Sequence, residues 1–448
     1  MIFDRKNTLA EKWKWFFRDK YGLFIHWGPY AMYGHGEQVL FREHLDQVEY
    51  EQRACKWKPS EFDAEHWAEI AQESGFKYAC FTTRHHDGYC LWDTQYTDYS
   101  SMKQAPKRDF VREYVDAFRK AGIKIGFYYS WLDWRIPACY LGPEKDPEGW
   151  AVMKQYMYNQ VEELMTKYGK IDYFFFDGVW PRDGKELGSS EVVEMMRRYQ
   201  PDILINNRLG YDKEKAASNQ KDGGLGAGGS ENMGDFSTPE HEITASNRLW
   251  ESCQVSTWRL WGYTNGERWR NSDYLLDMLC ESVEKGGNII LNVGPDAEGR
   301  IPAEFEERAL EIGKWLEVHG EAIFDIDGSD LTEFVTRGRQ TIKGDTLYLI
   351  IRFWDGEPVL RLADIVSKAQ KVTLLTTGEE LSFEQVEDVL YIKNLPEESP
   401  TKLFPVIKIE FNESPQTNQW GRERLWCGAP ERCVQWAKKR GTTVFVGK

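Results

Sequence analysis

Strand-like and helix-like segments alternate from about residue 20 to residue 320 of this 448-residue chain. Short apolar runs are predicted as strands, and each is followed by a stretch with apolar residues at helical spacing. This alternation is typical of a parallel sheet covered by helices. Six or seven repeats predict a (β/α)8-like (TIM-type) barrel. A doubly wound open sheet is the alternative, but no GxGxxG motif opens the first helix.

The predicted strands lie at 23–28, 78–83, 123–129, 171–176, 203–207, 249–252 and 288–293. The predicted helices lie at 63–74, 109–121, 153–164, 191–199, 273–284 and 303–318. Gly75 is placed to end the first of these helices. Asp109 is placed to cap the second helix, and Gly122 to end it.

The pattern changes after residue 325. Short strands separated by turns, at 346–353, 371–376, 389–392 and 406–411, predict a small antiparallel β-sandwich. We therefore expect a barrel over residues 1–325, a sandwich over residues 326–411 and a tail over residues 412–448. The tail contains Trp420, Trp426 and Trp436 and can pack on the barrel or on another subunit, which leaves a homo-oligomer open.

Charge and composition exclude several classes of partner. A net charge of −15 repels nucleic acids and anionic membranes. No apolar run approaches the roughly 20 residues of a membrane span. The eight cysteines show no paired CxxC spacing, so we expect free thiols in a reducing compartment. The first residues lack the apolar core of a signal peptide, and a cytoplasmic protein is expected.

The run from Ile171 to Gly178 is apolar until Asp177, which is followed at once by glycine. A strand of a parallel sheet is buried on both faces, so the first ionisable residue after it lies at the carboxyl end of the sheet. Active sites of α/β proteins collect at that end. Asp177 is therefore the first candidate for a catalytic residue, although an aspartate there can also simply cap the next helix.

A second carboxyl group would define a reaction, since one carboxyl can act as nucleophile or base and the other as acid. Glu240 follows a glycine-rich stretch, 211–237, that is long for a βα loop and typical of a functional or mobile segment. Glu251 has a more fixed position in the strand-like LWESC. The residues alone do not separate these two candidates.

Three of the eight histidines, His26, His85 and His86, also lie at predicted strand ends. With Asp87 they could bind a metal ion, but no other His or Cys cluster has a ligand spacing. A buried structural histidine is the alternative for each one. Hydrogen bonding to a polyhydroxylated substrate explains the three together, and we expect neither a metal nor an organic cofactor.

Further strand ends carry Arg208 and Tyr128. Arg208 can orient a carboxylate or donate to a sugar hydroxyl, or it can form a structural salt bridge. The chain contains 19 Trp, 22 Tyr and 23 Phe. Most of these rings are expected in the core, but aromatic faces also stack on the apolar faces of sugars.

Taken together and in order, a set of segments resembles glycoside hydrolase family 29, the retaining α-L-fucosidases. They are GLFIHWG, RHHDGYCLWDT, IGFYYSWLDW, the strand ending FDG, INNR, GDFSTPE, LWESC and GGNIILNVGPDAEGRIP, and they cover roughly residues 10–325. The resemblance implies a (β/α)8-like barrel followed by a β-sandwich. It also implies an exo-acting enzyme that removes terminal α-L-fucose from small glycosides or glycans by double displacement, with its two carboxyl groups about 5–5.5 Å apart.

The resemblance also assigns roles to single residues. Asp177 falls on the nucleophile, and the match to TPE favours Glu240 over Glu251 as the acid/base, held protonated in a less polar setting. The residues that fall on binders of sugar hydroxyls are His26, Glu37, His85, His86, Tyr128 and Arg208. Trp131 and Trp180 are candidates to contact the apolar face and the methyl group of fucose.

Two positions depart from the family pattern. Gln38 and Phe175 stand where tryptophan is frequent in the family. We therefore keep two alternatives open: the same barrel and mechanism acting on another α-linked sugar such as a galactoside, and a catalytically inactive carbohydrate-binding protein.

Overall fold

A computed structural model describes residues 9–179, 182–210, 234–246, 248–329, 331 and 337–417. The chain divides into two compact units after Glu317. Trp180, residues 211–233 of the glycine-rich stretch and the tail from residue 418 lie outside the described residues, and so do Trp420, Trp426 and Trp436. The predicted three-part division, with a separate tail from residue 412, therefore stays a prediction.

The first unit is built on seven parallel strands. They are β1 (Tyr21–Ile25), β2 (Tyr78–Arg84), β3 (Lys124–Ser130), β4 (Tyr173–Asp177), β5 (Leu204–Ile205), β6 (Glu251–Val255) and β7 (Asn288–Val293). Their order in the sheet is β5-β4-β3-β2-β1-β7-β6. Nearly every strand residue is buried, which explains why these strands read as continuous apolar runs in the sequence.

The gap between β5 and β6 is closed by residues 236–240, which we call the closing segment. Parallel bridges join Asn206 to Phe236 on one side, and Ser237 to Trp250 and Glu240 to Cys253 on the other. The sheet is thus a closed barrel with the closing segment in the eighth position, and the predicted (β/α)8-like fold is confirmed. The sequence pattern predicts no strand for this segment, because it has no apolar run of its own.

Helices surround the barrel. They are α1 (Lys14–Asp19), α2 (Val39–Arg42), α3 (Gln47–Ala54), α4 (Ala64–Glu73), α5 (Phe110–Lys120), α6 (Pro137–Lys145), α7 (Pro147–Lys167), α8 (Gly184–Leu187), α9 (Ser189–Tyr199), α10 (Ser272–Glu284) and α11 (Ala303–His319). The predicted caps are confirmed for α5, where the Asp109 side chain accepts from the amide of Arg112. Gly75 and Gly122 follow α4 and α5 with φ of 83° and 77°, which a residue with a side chain rarely adopts.

The second unit contains two antiparallel sheets. Its strands are β8 (Gly338–Lys343), β9 (Thr346–Ile351), β10 (Val359–Leu362), β11 (Ala369–Leu374), β12 (Glu379–Glu380), β13 (Phe383–Val386), β14 (Val389–Lys393) and β15 (Val406–Phe411). Five strands pair in the order β12-β11-β15-β9-β8 and three in the order β10-β14-β13. One apolar cluster draws side chains from both sheets, as the sequence predicted for a small sandwich.

In the part of the chain that the structure describes, none of the helices combines the length and apolar character that a membrane span needs. The six described cysteines form no disulfide bonds, while Cys427 and Cys433 lie outside the described residues.

A buried carboxyl group lies at the amino-terminal end of the barrel interior. Glu251 is the first residue of β6, is 0% exposed and accepts hydrogen bonds from the hydroxyls of Tyr78 and Tyr173, the first residues of β2 and β4. Burial raises the pKa of Glu251 to about 7, although the two hydroxyl donors oppose that rise. Among the described residues no cation contacts this carboxyl, so the barrel favours its neutral form.

We predict that Glu251 makes the stability of the barrel pH-dependent. Its pKa is raised in the folded state, so its contribution is complete below its unfolded value of about 4.5 and is lost as the pH rises towards 7. The loss amounts to about 3 kcal/mol, from a rise of roughly two to three pKa units. The Glu251→Gln variant has no titratable group at this position. Its free energy of unfolding in urea is therefore expected to depend less steeply on pH between 4.5 and 7.5 than that of the wild type.

Glu317→Gln is the matched control, because Glu317 is exposed on α11. It is expected to keep the wild-type pH dependence. An equally steep loss of stability in Glu251→Gln and in the wild type would contradict the assignment.

Candidate active site

The carboxyl ends of β2, β3 and β5 bring three predicted residues together around Asp177, which ends β4. Asp177 Oδ1 accepts from Arg208 at 2.7 Å, and Oδ2 accepts from the Tyr128 hydroxyl at 2.9 Å. His86 Nε2 lies 3.7 Å from Oδ2. The Asp177 side chain is 14% exposed, so a ligand can reach it from the mouth of the barrel.

The electrostatic environment of Asp177 favours the carboxylate. Burial would raise the pKa of Asp177, but the Arg208 guanidinium, His86 and the hydrogen bonds from Arg208 and Tyr128 outweigh burial and hold that pKa below its ordinary value. Asp177 is therefore ionised at mildly acidic and neutral pH, as a nucleophile or base requires.

The same guanidinium holds a second carboxylate. Arg208 donates to Glu240 Oε2 at 2.9 Å. Its Nε also donates to the Thr238 hydroxyl at 3.1 Å, so the closing segment supplies both contacts. Asp177 and Glu240 are thereby placed within the span of one guanidinium, across the mouth of the barrel. The expected setting of Glu240 was less polar, and the structure instead pairs it with a cation.

Glu251, the second candidate for the acid/base, lies at the other end of the barrel. It contacts Tyr173, the first residue of β4, whereas Asp177 is the last residue of that strand. The length of this strand separates the two positions by about 13 Å at 3.3 Å per residue. Glu251 therefore cannot act on the same bond as Asp177. The sequence suggested Glu251 because a strand pattern alone does not show at which end of the strand a residue lies.

The predicted histidines lie beside Asp177 and are held neutral. Burial lowers the pKa of His26 to about 3 and that of His86 to about 4. The side-chain amide of Asn292 donates to the carbonyl of Trp261, so its Oδ1 accepts from Nδ1 of His26 at 2.6 Å. Nε2 of His26 is then a hydrogen-bond acceptor.

His85 is buried as well. Burial and the neighbouring His86 and His26 lower its pKa well below the ordinary value. Its ring stacks on Tyr128 at 5.5 Å, and its buried Nδ1 has no hydrogen-bond partner among the described residues. Neutral rings with open nitrogens suit a hydroxylated ligand better than an anionic one.

Glu37 lies on the side of the site towards Glu240. Its Oε2 accepts from the amides of Trp261 at 3.0 Å and Gly262 at 2.8 Å. Burial raises the pKa of Glu37 against these amide donors, and the nearby charge of Glu240 raises it further. Glu37 is thus a positioned, largely buried hydrogen-bonding group.

Apolar rings that the sequence analysis does not single out complete the site. Trp261 lies 6.0 Å from the ring of Phe24 and 5.3 Å from that of His26. Trp131, by contrast, is 2% exposed and donates to the carbonyl of Arg208. Its ring stacks on Phe176 at 4.8 Å, and the expectation that Trp131 contacts a sugar stays a prediction. Trp180 lies outside the described residues.

The metal-site alternative for His85, His86 and Asp87 finds no support in the geometry. Asp87 Oδ2 accepts from the Tyr50 hydroxyl at 2.8 Å. Across the described ranges, no three His, Cys, Asp or Glu side chains are grouped as metal ligands.

Sequence reasoning missed Trp261, Thr238, Asn292 and His241 as residues of the site. Asn292 is the next-to-last residue of a predicted strand, and that position could have identified it. His241 follows Glu240 directly, and its ring lies 5.0 Å from Trp261. Trp261 has no such signal, since it lies in an irregular loop after β6 and is brought to the site by the amide contacts to Glu37.

Comparison with known proteins points in the same direction. Residues 4–321 match the sequence model of the family described as Alpha-L-fucosidase. The tissue alpha-L-fucosidase of Bos taurus is 29% identical over 398 residues, which cover 82% of this chain and 81% of the bovine protein.

Solved structures share the fold. Alpha-L-fucosidase isoenzyme 1 from Paenibacillus thiaminolyticus superposes with a TM-score of 0.80 at 32% identity, covering 90% of this chain and 99% of that one. A GH29 alpha-L-fucosidase from Bacteroides thetaiotaomicron, trapped as a covalent intermediate, gives 0.79 at 27% identity, covering 90% and 97%.

The family match spans most of the chain, and the solved structures agree with the closed barrel and the sandwich. The predicted family is therefore confirmed, while the roles of single residues stay predictions. This chain belongs to the alpha-L-fucosidase family, glycoside hydrolase family 29.

Proposed function

We propose that this protein is a retaining exo-α-L-fucosidase in which Asp177 is the nucleophile and Glu240 the acid/base. One observation carries the assignment: the Arg208 guanidinium holds both carboxylates at the mouth of the barrel. Two carboxyl groups this close leave little room for a water molecule between them and the sugar, which favours a covalent intermediate over direct attack by water.

In the first step, Asp177 attacks the anomeric carbon and the bond to the leaving oxygen breaks. Glu240 gives a proton to that oxygen. A fucosyl ester of Asp177 forms, and Glu240 then takes a proton from the water molecule that cleaves it. Arg208 keeps Asp177 ionised. Because Arg208 also pairs with Glu240, substrate binding has to loosen that contact before Glu240 can carry a proton.

The remaining residues suit a neutral deoxy sugar. His26, His85 and His86 are neutral and, with Glu37, can exchange hydrogen bonds with ring hydroxyls. The apolar rings of Phe24 and Trp261 lie next to His26 and offer a surface for the methyl group of fucose. A terminal fucose on a small glycoside or glycan is the substrate that this combination fits.

A second candidate keeps the mechanism and changes the sugar. Gln38 accepts from Arg42 at 3.0 Å, one turn along the chain, so its amide is already engaged. Phe175 packs under the Arg208 guanidinium at 4.9 Å. Both positions differ from the frequent family pattern, and an α-galactoside is the closest alternative. Cytoplasmic location and a homo-oligomer also stay predictions.

The role of Asp177 is tested by Asp177→Ala on p-nitrophenyl α-L-fucoside. Loss of the nucleophile is expected to lower kcat by at least about a thousandfold. Added azide is expected to restore turnover of the mutant and to yield a fucosyl azide of inverted configuration, which NMR identifies. A mutant that keeps wild-type turnover would contradict the role, and an α-galactoside cleaved in preference by the wild type would favour the second candidate.

The role of Glu240 is tested by varying the leaving group. Glu240→Ala is expected to slow hydrolysis of methyl α-L-fucoside by roughly 100- to 10,000-fold, because methanol leaves only when protonated. Hydrolysis of the p-nitrophenyl substrate, whose leaving group needs no proton, should suffer much less. Glu251→Gln is the control and should slow both substrates equally or neither. The same selective loss in Glu251→Gln would reverse the assignment.

The role of Arg208 is tested by the pH profile of kcat/KM. Arg208→Gln removes the cation that lowers the pKa of Asp177, so the acidic limb of the profile is expected to move to higher pH. Arg197→Gln is the control, because Arg197 pairs with Asp235 at 2.7 Å outside the site. An unmoved acidic limb in Arg208→Gln would show that Arg208 does not set the charge of the nucleophile.

A further inference from the structure

Two aromatic side chains at the mouth of the barrel form what we call the aromatic ridge, Phe41 and Trp134. Phe41 belongs to α2, after β1, and Trp134 to the loop after β3. Their rings stack at 5.5 Å with an interplanar angle of 23°. A helix and a loop that are distant in the sequence thus form one apolar surface.

The ridge is continuous with the catalytic centre. The amide of Trp134 donates to the carbonyl of His86 at 2.9 Å, and the two rings lie 5.3 Å apart. The same histidine ring lies beside Asp177, with Nε2 at 3.7 Å from the carboxylate. A row of rings therefore leads from the nucleophile to the rim of the pocket.

The outer end of this row lies in solvent. Phe41 is 56% exposed, whereas its neighbours Val39 and Leu40 on α2 are buried. Exposing a large apolar ring forgoes the stabilisation that burial of the ring would give, so the fold itself does not require a phenylalanine at this position. A ligand that covers the ring would explain the choice.

Hydrogen-bonding groups stand on the same helix. Arg42 donates through Nε to Gln38, and its guanidinium carries further N–H groups. Sugars present apolar C–H faces between hydroxyls, so an aromatic ring next to such donors matches a pyranose. A charged or purely apolar ligand would use only one half of this surface.

We propose that the aromatic ridge is a subsite for the sugar next to the fucose, in the glycan that leaves with the scissile oxygen. The proposal rests on the proposed function and names the chemical class of its leaving group: a neutral pyranose that stacks on Phe41. The enzyme then discriminates between fucosylated glycans through contacts beyond the fucose pocket.

The experiment compares Phe41→Ala with the wild type on two kinds of substrate. α-L-Fucosyl fluoride has no sugar to place on the ridge, whereas the fucosyllactoses do. Phe41→Ala is expected to lower kcat/KM about tenfold for at least one fucosyllactose and to leave fucosyl fluoride within about twofold. Phe41→Trp is expected to retain or raise the wild-type value, because it keeps a stacking ring.

Val48→Ala is the matched control, since Val48 is an apolar residue of α3 that is 63% exposed. It should change neither substrate. Equal losses on both substrates, or none on any fucosyllactose, would overturn the ridge as a subsite. A wild type inactive on fucosyl fluoride would overturn the proposed function and the ridge with it, so the two failures are distinguishable.

Discussion

The Arg208 guanidinium is the interaction on which the catalytic arrangement depends. It contacts Asp177 and Glu240 at 2.7 and 2.9 Å and is itself only 6% exposed. A buried guanidinium without carboxylate partners would be costly, and so would either carboxylate without the guanidinium. The three charges therefore require one another, and the geometry of the mouth of the barrel follows from that requirement. Two hydrogen bonds hold the arginine in place: its Nε donates to the Thr238 hydroxyl, and its backbone carbonyl accepts from the Trp131 indole.

The barrel treats Asp177 and Glu251, which lie at its opposite ends, in opposite ways. At the carboxyl end, a cation and two donors hold the pKa of Asp177 low despite burial. At the amino end, Glu251 accepts hydrogen bonds from two tyrosine hydroxyls and contacts no cation among the described residues, and burial raises its pKa to about 7. The same strands thus support an ionised acid at one end and a largely neutral one at the other. The position of one arginine makes the difference, since burial acts in the same direction on both.

Much of the site could be predicted because the ends of buried strands can be recognised in the sequence. An apolar run that stops at Asp177, or a pair of histidines after another run, marks the carboxyl end of a parallel strand. The sequence predicts less well those side-chain positions that depend on strand register or on irregular backbone. Glu251 begins its strand rather than ending it. No strand is predicted for the closing segment, residues 236–240, because it has no apolar pattern.

By itself, the sequence determined the alternation of strands and helices, the family and the carboxylate at the end of β4. These follow from local patterns, because burial on both faces forces a strand to be apolar and leaves ionisable residues for its ends. Only the tertiary structure decided which glutamate faces Asp177 and which aromatic rings line the pocket. Those depend on the closing segment and on loops after β3 and β6, whose contacts join residues far apart in the chain and leave no periodic signal.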